Sequence, residues 1–347
     1  MKIAWNLLLL ILLCVGSYGQ QQRVNEQGST TFTNPLLPTG PDPWVEYRDG
    51  VYYYMNTTGT NLTLWRTRSM ADLKSAEKKV AWIPPSTGPY SHDIWAPEIH
   101  FLAGKWYIYF AADALRNHSH RNWVVENPSA DPFQGEWTLK GKVSDASDKW
   151  AIDPSVFEDR GQLYAIWSGW DDDENGTQSI YIARMKNPWT VEGPCARLST
   201  PEYPWEKVGD VDRKIQPGDP PHIDVNESPE ILKHEDKIFL VYSGSACWTD
   251  YYALGMLEAT VGKRSDESCV VEEIFEACLP AIGGGGSLCA GPQLIFQISR
   301  REGRLADLPR EFFARPGLWC ASFAANTAFR VERGRNSKFR CSGGGWR

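Results

Sequence analysis

What this 347-residue chain lacks narrows its function first. Clusters of Lys and Arg are missing from most of its length, and a formal charge of −7 argues against a nucleic-acid partner. Long helical patterns are missing too. Beyond the first twenty residues no apolar run is long enough to cross a bilayer, so no membrane association is expected. The eight Cys show no CxxC or other metal-ligand spacing. The acidic run Asp171-Asp172-Asp173-Glu174 has no spaced calcium-ligand pattern and reads as a solvated loop. What the chain has in quantity is aromatic side chains: 16 Trp, 14 Tyr and 13 Phe. Most of them belong in a β core, and the remainder suit stacking on the apolar faces of sugars.

The chain begins with the signs of export. Lys2 supplies a positive start, Leu7–Val15 is apolar, and Gly16-Ser17-Tyr18-Gly19 offers small residues for cleavage. Residues 1–20 therefore read as a signal peptide and 21–33 as a linker, and a secreted, extracellular protein is expected. Five N-glycosylation sequons, at Asn56, Asn61, Asn117, Asn175 and Asn226, agree with that route. The last encloses Glu227 and is expected to stay unmodified, because a glycan there would block a pocket. Cys195, Cys247, Cys269 and Cys278 can pair in an oxidising compartment, in an arrangement the spacing leaves open.

Residues 34–280 carry a repeat. Each unit opens on a proline, at Pro43, Pro97, Pro154 and Pro229, and continues into a turn and an aromatic strand. The turns are marked by Asp49-Gly50, Ala103-Gly104 and Arg160-Gly161, and by Glu235-Asp236 in the fourth unit. Strand-only units at this period predict an all-β fold, a β-propeller in which the first strand of each blade lines a central channel. Four openings are visible. Acids stand at or beside three of them: Asp42, Asp153 and Glu227.

The remaining segment, 281–347, changes character. From Ser287 to Arg347 it carries ten Arg and one Lys against four acids, and the strand pattern vanishes. Read one base later, allowed codons for this stretch permit the text APGHNSFFKSPDGKEDWLIYH, which parallels the blade opening at Ala96–Ala112. The tail thus reads as an out-of-frame replacement of the fifth blade. A chain with this tail is expected to fold poorly or to lack activity, and measurable sugar release by it overturns that expectation.

Carboxyl groups converging on a channel suit glycoside cleavage, in which one carboxyl protonates the leaving oxygen and another activates water or attacks carbon. A third raises and orients the proton donor. The motifs GPDPWV (Gly40–Val45), HDIWAPEI (His92–Ile99), AIDPSVF (Ala151–Phe157) and VNESPEIL (Val225–Leu232) resemble, in this order, glycoside hydrolase family 43. The resemblance covers about residues 34–262. It implies an inverting five-bladed enzyme, with Asp42 as the general base, Glu227 as the general acid and Asp153 as the residue that orients Glu227 and raises its pKa. Glu230 competes with Glu227, but the family pattern places the acid two residues before the proline. Where that pattern commonly has Gly, this chain has Ser228.

Trp95 resembles a sugar-stacking platform, with Trp44 and Trp167 as weaker candidates, and His92 and Asp93 are expected to line the pocket. No cofactor is required on this reading. A channel ion such as calcium sits near a fifth-blade His in the family, and the written sequence has no such His. The motif wording is closest to exo-1,5-α-L-arabinofuranosidases. The expected substrate is arabinan or an arabinose-decorated plant cell-wall polysaccharide or oligosaccharide, and a monomer is expected. The alternatives are a β-xylosidase of the same family and an inactive, carbohydrate-binding propeller.

Overall fold

The computed structural model describes residues 35–214, 219–234, 237–260 and 296–298. The expected signal peptide and linker, Cys269, Cys278 and almost all of the re-read tail lie outside the described residues, and so does any fifth blade.

The chain builds successive antiparallel meanders. The first runs β1 (Trp44–Arg48), β2 (Val51–Met55), β3 (Leu62–Thr67) and β4 (Glu77–Trp82). The second runs β5 (His92–Leu102), β6 (Lys105–Asp113), β7 (Arg121–Asn127) and β8 (Thr138–Lys142). A third, β9 (Ala151–Asp159), β10 (Gln162–Trp170), β11 (Thr177–Asn187) and β12 (Thr190–Ser199), touches a fourth, β13 (Asp224–His234), β14 (Lys237–Gly244) and β15 (Ala253–Thr260). These two meet through a short parallel pairing of Thr177-Gln178 with Asp224-Val225. A short β16 (Phe296–Ile298) lies parallel to β1.

Local sequence explains the hairpins. In Asp49-Gly50, Ala103-Gly104 and Arg160-Gly161 both central residues have positive φ, near 50° and then near 80°. That is the type I′ turn, whose twist matches the flanking strands and whose second position favours glycine.

The openings have a second shared feature. The residue before each opening proline, Asp42, Ala96, Asp153 or Ser228, has φ between 41° and 52°. In the last three units the strand register slips at this point, so the proline sits in a β-bulge. A bulge is where a strand tolerates a residue without an N–H. It also re-aims the side chains on either side of it.

Cores form between the meanders. Trp44, Met55, Leu64, Ile99, Trp106 and Phe110 join the first to the second. Tyr107, Tyr109, Val156, Ala165 and Trp167 join the second to the third, and Phe157, Ile166, Ile180, Leu240 and Tyr242 join the third to the fourth. Each such side chain contributes on the order of 1.5–3 kcal/mol by leaving water. Because both faces of a middle strand are covered, runs such as Trp106–Ala112 are buried throughout instead of alternating.

Candidate active site

Each opening lies beside the far end of its own second strand: His92 opposite Asp113, Ala151 opposite Gly169, Asn226 opposite Gly244. Openings from different blades also bond to one another, so the bulged residues gather at one end of the fold.

Asp42 precedes β1 and is fixed by the β2–β3 connection. Thr57 Oγ1 donates to Asp42 Oδ2 at 2.5 Å and accepts from the Ala96 N–H at 2.7 Å. One hydroxyl thereby joins the openings of the first two blades. The Asp42 side chain is open to the cleft, yet the surrounding blade ends displace enough water to push its pKa up. The Thr57 and Ala96 hydrogen bonds pull the other way.

Asp153 grips the fourth opening. Its Oδ2 accepts from the Ser228 N–H at 3.0 Å, and the Ser228 hydroxyl lies at 3.3 Å from the same oxygen. Burial first, and the negative charge of Asp42 second, push its pKa up to about 7, against the two Ser228 bonds. Glu227 stands half-buried beside this contact, opposite Ser243 of β14. Tyr252, from the β14–β15 connection, feels the charges of both Glu227 and Asp153. The three acids singled out in the sequence are therefore linked across blades one, three and four.

Below them lies a second layer made by the residue that follows each opening proline: Trp44, Glu98, Ser155 and Glu230. Trp44 is buried, donates its indole N–H to the Ile99 carbonyl at 2.8 Å and packs on His100. It is therefore a core residue here and not an exposed sugar platform. Trp167 is likewise buried, between blades two and three beside Tyr181. Both positions correct the expectation of ligand contact, because neighbouring blades cover strand faces that look open in sequence. Glu230 hydrogen-bonds to Glu98 in this buried layer.

Trp95 occupies in blade two the position that Glu227 holds in blade four, immediately before the bulged residue. It is half-buried and stacks on His120 with ring centroids 4.1 Å apart. His120 is fully buried, and burial depresses its pKa to about 4. Asp93 hydrogen-bonds to buried Asp113, and His92 Nδ1 lies 2.7 Å from Ser91 Oγ. These side chains sit together at the β5 opening, beside the end of β6.

The structure adds residues that the sequence reading did not single out: Thr57, Tyr252, Glu98 and His120. Thr57 had been read only as part of a sequon. Of the sequons, Asn56 and Asn226 are buried and bond through Nδ2 to the Thr57 carbonyl and to Ser199 Oγ. Asp171, read as part of a solvated loop, accepts from Tyr181 and Arg197, each at 2.7 Å. Among the described residues Cys195 and Cys247 are not bonded to each other, and the Cys195 backbone N–H donates to Asp145 Oδ2 at 3.1 Å. Among the described residues no group of three or more His, Cys, Asp or Glu side chains is arranged to hold a metal ion.

All-β meanders with carboxyl groups gathered at the strand openings have the makings of a glycosidase. The chain belongs to glycosyl hydrolases family 43, whose model matches residues 32–268. It is 39% identical over 236 residues to an extracellular exo-alpha-(1->5)-L-arabinofuranosidase of Streptomyces chartreusis, covering 67% of each chain. It is 34% identical to alpha-L-arabinofuranosidase 43 of Humicola insolens, where the match spans 67% of this chain and 46% of the relative. Among solved structures it is similar to an alpha-L-arabinofuranosidase from Lactobacillus brevis, with 32% identity, a TM-score of 0.59, and coverage of 67% of this chain and 72% of that one. A thermostable family-43 glycoside hydrolase shares the fold at a TM-score of 0.56 and 20% identity.

Proposed function

We propose that this protein is a secreted, inverting α-L-arabinofuranosidase that removes terminal arabinofuranosyl residues from arabinan or arabinose-substituted plant cell-wall polysaccharide. The observation that carries the chemistry is the bond between Asp153 and Ser228, which fixes the backbone beside Glu227 from a neighbouring blade. In this mechanism Asp42 takes a proton from water as the water attacks the anomeric carbon. Glu227 gives its proton to the leaving oxygen. Asp153 orients Glu227 and disfavours its ionisation by like charge. The arabinose preference rests on the relatives, whose names specify arabinofuranosidase action.

The remaining parts of the proposal are a monomer with no required cofactor and a fifth blade that the shifted reading frame restores. The test measures p-nitrophenol release from the α-L-arabinofuranoside and from the β-D-xyloside, using the 347-residue chain beside a frame-restored one. Arabinofuranoside cleavage supports the proposal, and cleavage by the restored chain alone ties activity to the fifth blade. Preference for the xyloside makes the protein a xylosidase. Binding without cleavage by either chain makes it a carbohydrate-binding propeller.

A further inference from the structure

The buried layer beneath the acids holds two carboxyl groups that the mechanism does not use. Glu98 lies on β5 of the second blade and Glu230 on β13 of the fourth, and each directly follows an opening proline. They hydrogen-bond to each other, and Ser155 of β9 lies within hydrogen-bond reach of both. His100 Nε2 is 2.9 Å from Glu98 Oε2. His100 is buried and held neutral, its pKa depressed to about 3 by burial, so it is a hydrogen-bond partner of Glu98 and not a countercharge.

Two ionised carboxylates are both acceptors and cannot bond to each other. The contact therefore requires a proton between them. Glu230 is three residues from Glu227 and two from Ser228, with only Pro229 between it and the residue that Asp153 holds. Whatever fixes Glu230 also fixes the bulge that aims Glu227.

We propose that Glu98 and Glu230 are positioning residues, whose hydrogen bond ties blade two to blade four past Ser155 and thereby holds the Glu227 opening in register with Asp153. The role rests on the glycosidase reading for its kinetic consequence, but the tie itself is structural. The charged and titratable groups around the pair are His100 on β5, Asp153 on β9, and Glu227 on β13 itself. On the β1 side Asp42 stands next to Asp153, and Glu46 has Arg48 as its charged neighbour. Tyr109 of β6 packs edge-on against His100. The side chains that act most on Glu98 and Glu230 are each other, Asp153 and Ser155. Burial therefore raises both carboxyl pKa values, Glu98 to about 8 and Glu230 well above the ordinary value. A raised carboxyl pKa contributes stability that is complete below the unfolded value of about 4.5 and is lost as pH rises through the folded value.

The test replaces Glu230 in two ways, in the 347-residue chain and in a frame-restored one, the latter for the kinetics. Glu230→Gln keeps an N–H donor for Glu98 without a titrating proton. Glu230→Leu removes the donor. Thermal melts from pH 5 to 9 come first. The unaltered chain is expected to lose Tm as pH rises toward 8 and beyond, and Glu230→Gln to flatten that loss. With an arabinofuranoside as substrate, Glu230→Leu is expected to lower kcat about 10- to 100-fold with KM within about twofold, and Glu230→Gln to retain kcat within about threefold. The Gln variant is also expected to displace the alkaline limb of its pH profile. If neither the 347-residue chain nor the frame-restored one cleaves substrate, the function proposed above fails, while the melts still decide whether the tie exists. If Glu230→Gln melts with the same pH dependence as the unaltered chain, the tie is refuted. A Glu230→Leu protein that folds and keeps full kcat refutes the positioning role.

Discussion

Replacing Thr57 by valine keeps the shape of the side chain and removes one hydroxyl. That hydroxyl makes two bonds, donating to Asp42 and accepting from the Ala96 N–H. A hydrogen bond to a charged group contributes about 1.5–3 kcal/mol when shielded. Asp42 stays open to the cleft, so a value near 1 kcal/mol is appropriate here. The Ala96 N–H, at a residue held at a φ of 41°, loses its Thr57 acceptor but keeps its bond to Asp42. The expected loss is therefore about 1 kcal/mol, or roughly 2–4 °C in Tm for a domain of this size. The kinetic effect has a definite sign. The Thr57 bond holds the Asp42 pKa down against burial, so its loss moves that pKa up and leaves the base protonated at higher pH. The acid limb of kcat/KM therefore moves to higher pH, and the plateau falls about fivefold, the equivalent of about 1 kcal/mol. Thr57→Ser retains the hydroxyl and should keep the native limb. The assay is arabinofuranoside hydrolysis from pH 3.5 to 8 for all three proteins. An acid limb in Thr57→Val that overlays the unaltered protein, or a Thr57→Ser as impaired as the valine, refutes the reasoning.

Asp153→Asn should abolish most activity while raising stability by about 2 kcal/mol at pH 8 and by little at pH 5. The raised Asp153 pKa means that stability present at low pH is lost as pH rises through about 7. Melts at the two pH values check this, and equal shifts at both would count against it. Trp95→Ala removes the half-buried ring stacked on His120 and is expected to raise KM about tenfold with a smaller change in kcat, read by steady-state kinetics. Gly209→Ala would place a Cβ 1.8 Å from the Ile223 carbonyl oxygen, so the backbone must shift. A loss of about 3 kcal/mol is expected in a denaturant titration.

The parts of the site legible in the sequence are those written by local chemistry. Proline openings and glycine turns recur because each blade needs the same bulge and the same type I′ hairpin. Asp42, Asp153 and Glu227 therefore stand out as acids in a repeating frame. Contacts between blades leave no such mark. The hydroxyl of Thr57 meets an amide 39 positions away, and Ser228 meets an acid 75 positions away. Trp44 and Trp167 read as platforms because strand alternation does not show that the next blade covers the second face. Glu98 lay in full view, in the position after a proline, but its partner becomes evident only when blade four is placed against blade two.

The repeated left-handed residue before each opening proline is a set of equivalent sockets. Asp42 and Asp153 fill two with chemistry, whereas Ala96 and Ser228 fill two with small side chains. The backbone already bears the conformational strain at all four, whichever residue is present. Novelty at this mouth can therefore arrive by exchanging a single side chain on an unchanged scaffold. Such a geometry lets an ancestral ring diversify its reactions one socket at a time.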